Sequence, residues 1–143
     1  CDFHNYKSSN NYDLIVATFM LGYFSNLEIV FSKAKSILSR KGRMIISLLH
    51  PVRTSSKKID NRYVIEDYFD KGYYESDFIS DHDTIKLKKW TVDDISSAAF
   101  KAGMLIERIC EPQPSLNTPN EYLDEIGFYS KNPSIMMLTL RRL

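Results

Sequence analysis

The chain has 143 residues, 43% hydrophobic and 26% charged, with a formal net charge of +1. That length holds one domain or part of one, and the apolar share is enough for a real core. The near-neutral charge excludes a global pull toward nucleic acid or an anionic membrane surface, and no apolar run is long enough to span a bilayer. No signal peptide is visible. Cys1 and Cys110 are too few and too far apart for a disulfide framework or a metal site, so a reducing, cytoplasmic setting is the default expectation.

Cys1-Asp2-Phe3-His4 reads as the tail of a strand, and the polar Lys7–Asn11 as a loop. The chain opens on Cys and enters a strand–helix–strand unit almost at once, which reads as the C-terminal part of a larger domain. Tyr12–Leu49 organises the rest. Tyr12–Phe19 is a nearly continuous apolar run rich in β-branched residues, the pattern of a strand buried on both faces. Ser25, with Glu28 three residues on, predicts a capping box. Leu27, Val30, Phe31, Ala34, Ile37 and Leu38 then form one apolar stripe at helical spacing. Arg40 and Lys41 fall in the expected last turn, and Gly42 is the expected stop. Met44–Leu49 is a second buried strand, and two such strands joined by a helix imply parallel pairing through a right-handed crossover.

In open α/β sheets ligands bind beyond the carboxyl ends of the strands, which points to Thr18–Tyr23 and to His50-Pro51-Val52. Arg53–Asp60 is basic and polar without periodicity. Tyr63–Phe78 is dense in aromatics with interleaved acids, and predicts short strands or a hairpin around Asp70-Lys71-Gly72. Ile85–Trp90 reads as a short strand. A connection as long as 51–89 predicts a lid or substrate-side insert, and its aromatic content argues against plain disorder. Thr91-Val92-Asp93-Asp94 is a second capping box, opening a helix that Gly103 ends. Met104–Cys110 is a strand, stopped by Pro112 and Pro114. Thr118-Pro119-Asn120-Glu121 predicts a third helix ending near Gly127, and Ile135–Leu140 the last strand. No two of the five glycines are close enough to form a phosphate-cradling loop.

This order of elements resembles the second half of a class I methyltransferase that uses S-adenosyl-L-methionine. Tyr12-Asp13-Leu14-Ile15-Val16 is similar to the family's fourth strand. Leu38–Ser47 is similar to its helix end, turn and fifth strand, with Arg40-Lys41 where Pro-Gly is usual. His50-Pro51, Asp67-Tyr68-Phe69, the Trp90–Gly103 helix and Glu111-Pro112-Gln113-Pro114 look like a bacterial small-molecule subgroup. The resemblance implies an α/β, Rossmann-like sheet, seen here as strands four to seven with the last two antiparallel and the first half absent from this chain. It implies that Asp2 and Phe3 meet the adenine, and that Ala17, Thr18, Phe19 and Met20 flank the methionine part of the cofactor. Leu21-Gly22-Tyr23 resembles a segment that often carries a His, replaced here by Gly22. The family's glycine-rich cofactor turn and ribose-binding acid have no counterpart in this sequence.

Methyl transfer is a displacement at a sulfonium methyl, in which positioning and water exclusion carry much of the acceleration. A base is needed when the acceptor must lose a proton, and His50, following a buried strand at the ligand end, is the candidate; otherwise it shapes the turn with Pro51. Glu111 is a candidate to orient an amine or hydroxyl, or else a solvated strand-end carboxylate. Tyr23, Tyr68, Phe69, Tyr73 and Tyr74 are candidates to wall a pocket for a flat or apolar acceptor, or a satellite core under a long loop. Trp90 reads as packing beside its helix start. Lys86, Lys88 and Lys89 read as a solvated face or as a means of steering an acidic substrate. Nothing brings His4 and His82 together as metal ligands.

Two readings compete. One is methyl transfer to a small-molecule acceptor; the other is a non-catalytic half-domain that binds a partner or dimerises. Half of a nicotinamide-dependent oxidoreductase ranks below both, because no Tyr-x-x-x-Lys pair is present. Without a neighbour on its outer side, the Tyr12–Phe19 strand would meet water with its apolar faces, which predicts a missing N-terminal half, a homodimer or another partner.

Overall fold

The computed structural model describes residues 3–60, 62–76, 84–115 and 123–143. The predicted adenine contact Asp2, His82 and the helix start at Thr118 lie outside the described residues.

Strand β1 (Tyr12–Thr18) leads through a 3-10 turn at Leu21–Tyr23 to helix α1 (Leu27–Ile37), which passes directly into strand β2 (Leu38–Leu49). Five residues of the predicted stripe, Leu27, Val30, Phe31, Ala34 and Ile37, form the buried face of α1; the sixth, Leu38, is buried but already belongs to β2. Asn26, not Ser25, caps the helix, its side chain accepting from the Ile29 N–H at 3.2 Å. The last turn at Arg40-Lys41 does not form, because Leu38 already has extended backbone. Gly42 is therefore no helix stop. It sits against the start of β1, and a Cβ there would lie 2.9 Å from the Tyr12 carbonyl oxygen and 3.0 Å from that of Asp13. The β1–β2 register shifts at this place, between Tyr12 and Leu14.

Residues 51–89 carry helix α2 (Pro51–Thr54) and strands β3 (Ser56–Ile59), β4 (Arg62–Ile65), β5 (Tyr73–Ser76) and β6 (Ile85–Lys88); beyond them come helix α3 (Val92–Lys101), strand β7 (Met104–Cys110), helix α4 (Leu123–Tyr129) and strand β8 (Ile135–Arg142). The main sheet has the order β1-β2-β8-β7. β1 and β2 are parallel, and β8 is antiparallel to both β2 and β7. The carboxyl ends of β1, β2 and β7 therefore share one side, where β8 begins.

The core lies between this sheet and the helices α1 and α3, with Phe31, Leu38, Met44, Ile46, Ile95, Met104, Leu138 and Leu140 at its centre. β1 departs from the expected double burial. Ala17 is buried at 6% exposure, but Leu14 and Val16 are 55% and 61% exposed. The strand occupies the sheet edge, so one of its apolar faces meets solvent.

Helix α3 starts with the predicted capping box. Thr91 Oγ1 accepts from the Asp94 N–H at 3.1 Å, and Asp94 accepts from the Thr91 N–H at 3.0 Å. Partial burial works to raise the Asp94 carboxyl, but Lys71 and Thr91 outweigh it and hold the group below its ordinary value. Gly103, at φ +74°, takes the left-handed position after this helix. Helix α4 ends at Tyr129, near Gly127 as expected.

The insert forms two antiparallel hairpin-like pairs, β3 with β4 and β5 with β6. The turn expected at Asp70-Lys71-Gly72 is not between paired strands; it precedes β5, with Asp70 accepting from the Gly72 N–H at 2.9 Å. The basic stretch after Val52, read as lacking periodicity, becomes α2 and β3.

Candidate functional site

At the carboxyl ends of β1 and β2 lies a cavity of about 200 Å³. One wall is the segment Thr18–Tyr23, the floor is Leu48 and Leu49, and the far wall is Tyr74, Leu87, Lys88 and Trp90, with Thr54 from α2. Two local features shape the first wall. Phe19 holds φ +51°, a left-handed conformation that non-glycine residues adopt at a cost, and its N–H donates to the Ser47 carbonyl at 2.8 Å. Gly22 packs against β6 so closely that a Cβ there would lie 2.8 Å from Leu87 Cβ. This explains in physical terms why a larger residue does not stand at this position.

Trp90 is more than packing beside a helix start. Its indole N–H donates to the Leu21 carbonyl at 3.0 Å, tying the far wall to the first. Lys88 Nζ lies 4.8 Å from the centre of its ring, a cation–π distance. Burial raises the Tyr74 phenol above its usual value, while the Arg53 guanidinium acts against the shift.

A second group of side chains lies along the same sheet side. His50 is buried and caps α2: the Val52 N–H donates to Nδ1 at 3.1 Å, while Nε2 is 2.8 Å from Glu111 Oε1. Because Nδ1 accepts, the proton of the neutral ring sits on Nε2 and is donated to Glu111. Both ring nitrogens are thus engaged. The Glu111 side chain is 59% exposed, against 8% for His50. Replacing His50 by Ala removes the cap, and is expected to destabilise the protein by about 1 kcal/mol. His50→Asn keeps a capping oxygen and should recover most of that loss in thermal denaturation; equal loss in both variants would show that the cap is not what His50 supplies.

The structure sorts the remaining predicted residues. Thr18, Phe19, Met20 and Tyr23 line the cavity. Ala17 is buried behind them, and with Phe3, Ile15, Phe24 and Met44 borders a smaller apolar cavity of about 110 Å³. Phe3 packs edge-on against Phe24 at 6.2 Å. Tyr68 is drawn to α3, its hydroxyl accepting from the Val92 N–H at 3.4 Å, and packs on Phe69. Tyr73 is 60% exposed, while its neighbour Tyr74 faces the cavity. Sequence reasoning passed over Thr54, Leu87 and Arg53, which no spacing pattern singles out. Among the described residues, no cluster of three or more His, Cys, Asp or Glu side chains could hold a metal. No helix among them is long and apolar enough to cross a membrane.

The sequence matches no protein-family model and no curated protein. Solved structures do match. A Listeria monocytogenes structure described as an S-adenosylmethionine-dependent methyltransferase shares 17% identity at a TM-score of 0.79, covering 99% of this chain and 66% of its own. An S-adenosylmethionine-dependent methyltransferase from Mesorhizobium loti shares 19% at 0.78, covering 99% and 67%. The glycopeptide N-methyltransferase MtfA, solved with S-adenosylmethionine, shares 8% at 0.60, covering 100% and 59%. The fold is therefore that of the class I methyltransferases. The chain spans about two thirds of the length of the first two solved structures, at 66% and 67%.

The cavity lining can be tested against the methyl donor of that fold. Phe19, Tyr23, Tyr74 and Trp90 are among the lining residues, and aromatic rings suit a sulfonium methyl by cation–π attraction. An aromatic lining suits the donor's sulfonium end; no described residue of the cavity carries a carboxylate for its ribose hydroxyls.

Proposed function

We propose that this chain is the acceptor-side portion of an S-adenosyl-L-methionine-dependent methyltransferase acting on a small molecule. The observation that carries this reading is the aromatic cavity at the carboxyl ends of β1 and β2, in a fold shared with methyltransferases. Thr18, Phe19 and Met20 would flank the methionine part of the cofactor, and Phe3, with Asp2, the adenine. When bound, S-adenosylmethionine supplies a methyl group on a sulfonium whose departure needs little help. The chain's own residues then bind, orient and exclude water. Residues 51–89 are the substrate-side lid, contributing Thr54, Tyr74, Leu87 and Lys88. His50, read from the sequence as the base, has both ring nitrogens engaged and would act through Glu111, whose exposed carboxylate would orient the acceptor or receive its proton. Tyr23 lies within reach of the same ligand, while Tyr68 and Tyr73 support the lid.

The exposed apolar face of β1 supports the view that a further half of the domain, or a second copy, covers that edge in the working protein. Calorimetric titration of S-adenosylhomocysteine tests the reading, first into this chain and then into a longer form that carries a glycine-rich first half. Binding to the longer form alone is the expected result. Binding to neither, with both folded, would leave a non-catalytic binding module.

A further inference from the structure

The cavity and its border carry two cations without a carboxylate. Lys88 lines the cavity directly. Its neighbours are spoken for: Lys86 lies 4.0 Å from Glu75, Lys89 pairs with Asp70 at 2.8 Å, and Lys71 pairs with Asp94. Lys88 has the face of Trp90 instead of an acid. Arg53, on α2 next to Thr54, is half-buried. Nη1 donates to Ser134 Oγ at 2.7 Å, and the guanidinium lies 5.9 Å from the Tyr129 ring centre. Its charge is felt at Tyr63 and at the cavity-lining Tyr74. Among the described residues neither cation meets an Asp or Glu, and no described residue lining the cavity is acidic.

Desolvating a cation without a partner is unfavourable, and Arg53 holds several donors in a planar fork that one serine hydroxyl does not satisfy. The cation–π contacts offset part of that cost. A sulfonium in the same space would add a third positive charge. An anion brought in by the other ligand offsets part of that charge.

We propose that the cavity takes an acceptor bearing an anionic group, a carboxylate or a phosphate, next to an aromatic or apolar body, with Arg53 and Lys88 holding the anion. The word acceptor rests on the methyl-transfer reading; the anion site does not. Thr54 and Tyr74 also line the cavity and would supply neutral hydroxyl donors, and Tyr23 and Trp90 would take the flat body.

Trp90 is the sole tryptophan of the chain and lines the cavity, so its fluorescence reports occupancy without any methyl donor. Benzoate, phenyl phosphate and the uncharged benzamide are titrated separately into the 143-residue protein. Benzoate or phenyl phosphate should saturate the signal, with benzamide weaker by about ten- to a hundredfold, the range expected for charged hydrogen bonds. Arg53→Met and Lys88→Met should each weaken the anions by about tenfold and leave benzamide unchanged. Lys88→Met guards against the chance that Arg53→Met disturbs folding through Ser134. Equal binding of benzoate and benzamide, or no binding of any probe with Trp90 emission native, overturns the proposal. So does a matching loss of S-adenosylhomocysteine affinity in both variants of a cofactor-binding form, which would give the cations to the cofactor's own carboxylate. A longer form, carrying the glycine-rich first half, that stays cofactor-blind yet still selects benzoate would sink the methyltransferase reading and keep the anion site.

Discussion

Phe31→Ala is expected to destabilise the protein by about 3–5 kcal/mol, the usual cost of emptying a phenylalanine site in a closed core. Phe31 is fully buried. It sits mid-way along α1, the helix that packs on β2, α3 and β7. The neighbours cannot easily close the gap, since Leu38, Ala34 and Met44 belong to elements pinned by strand pairing or helical hydrogen bonds. A urea denaturation series checks this: the midpoint should fall with the slope unchanged. A loss below about 1 kcal/mol would place Phe31 in a site that collapses freely, and the core described above would be wrong.

The second large effect is expected at the cavity. Gly22→Ala puts a Cβ 2.8 Å from Leu87 Cβ, a contact that cannot stand. Either the Leu21–Tyr23 turn or β6 must give way, and overpacking of this kind costs about 1–3 kcal/mol. The displacement also loosens the Trp90–Leu21 hydrogen bond, so Trp90 emission should shift toward that of exposed indole. The identity of the clashing atom allows a sharper check. Leu87→Ala retains the Cβ and should not rescue Gly22→Ala, whereas Leu87→Gly should restore part of the lost stability. Rescue by Leu87→Ala would show that the flexible end of the leucine, not the approach of the two backbones, sets the limit.

Much of the fold was legible because hydrophobic period survives any tertiary context. The α1 stripe, the Thr91 capping box and the strands at Met104 and Ile135 stand where the pattern put them. Where reading failed, a long-range contact decided. Arg40, Lys41 and Gly42 carry every local mark of a helix end, yet they lie in a strand because β1 comes close enough to require a glycine there. The insert was opaque for the opposite reason: its strands are four residues long, too short for a period to show. The candidate site was legible only at its strand ends. Thr18–Tyr23 and His50 follow from the position of ligands in open sheets. The bond from His50 to Glu111 joins residues 61 apart in sequence, and no spacing rule reaches that far. Tyr73 and Tyr74 look alike in sequence, and only the pairing of β5 with β6 decides which one turns inward.

The direct passage from Ile37 in α1 to Leu38 in β2 has an evolutionary consequence. Side chains alternate along β2, with Leu38, Gly42, Met44, Ile46 and Leu48 facing inward. One residue inserted or deleted at this seam, with no loop to absorb it, would exchange the two faces of the strand and turn its apolar set to water. Descendants of this chain can vary the identity of residues here but not their number. The short strands between Pro51 and Lys89 lie outside the main sheet, so that stretch can change in length while the seam keeps count.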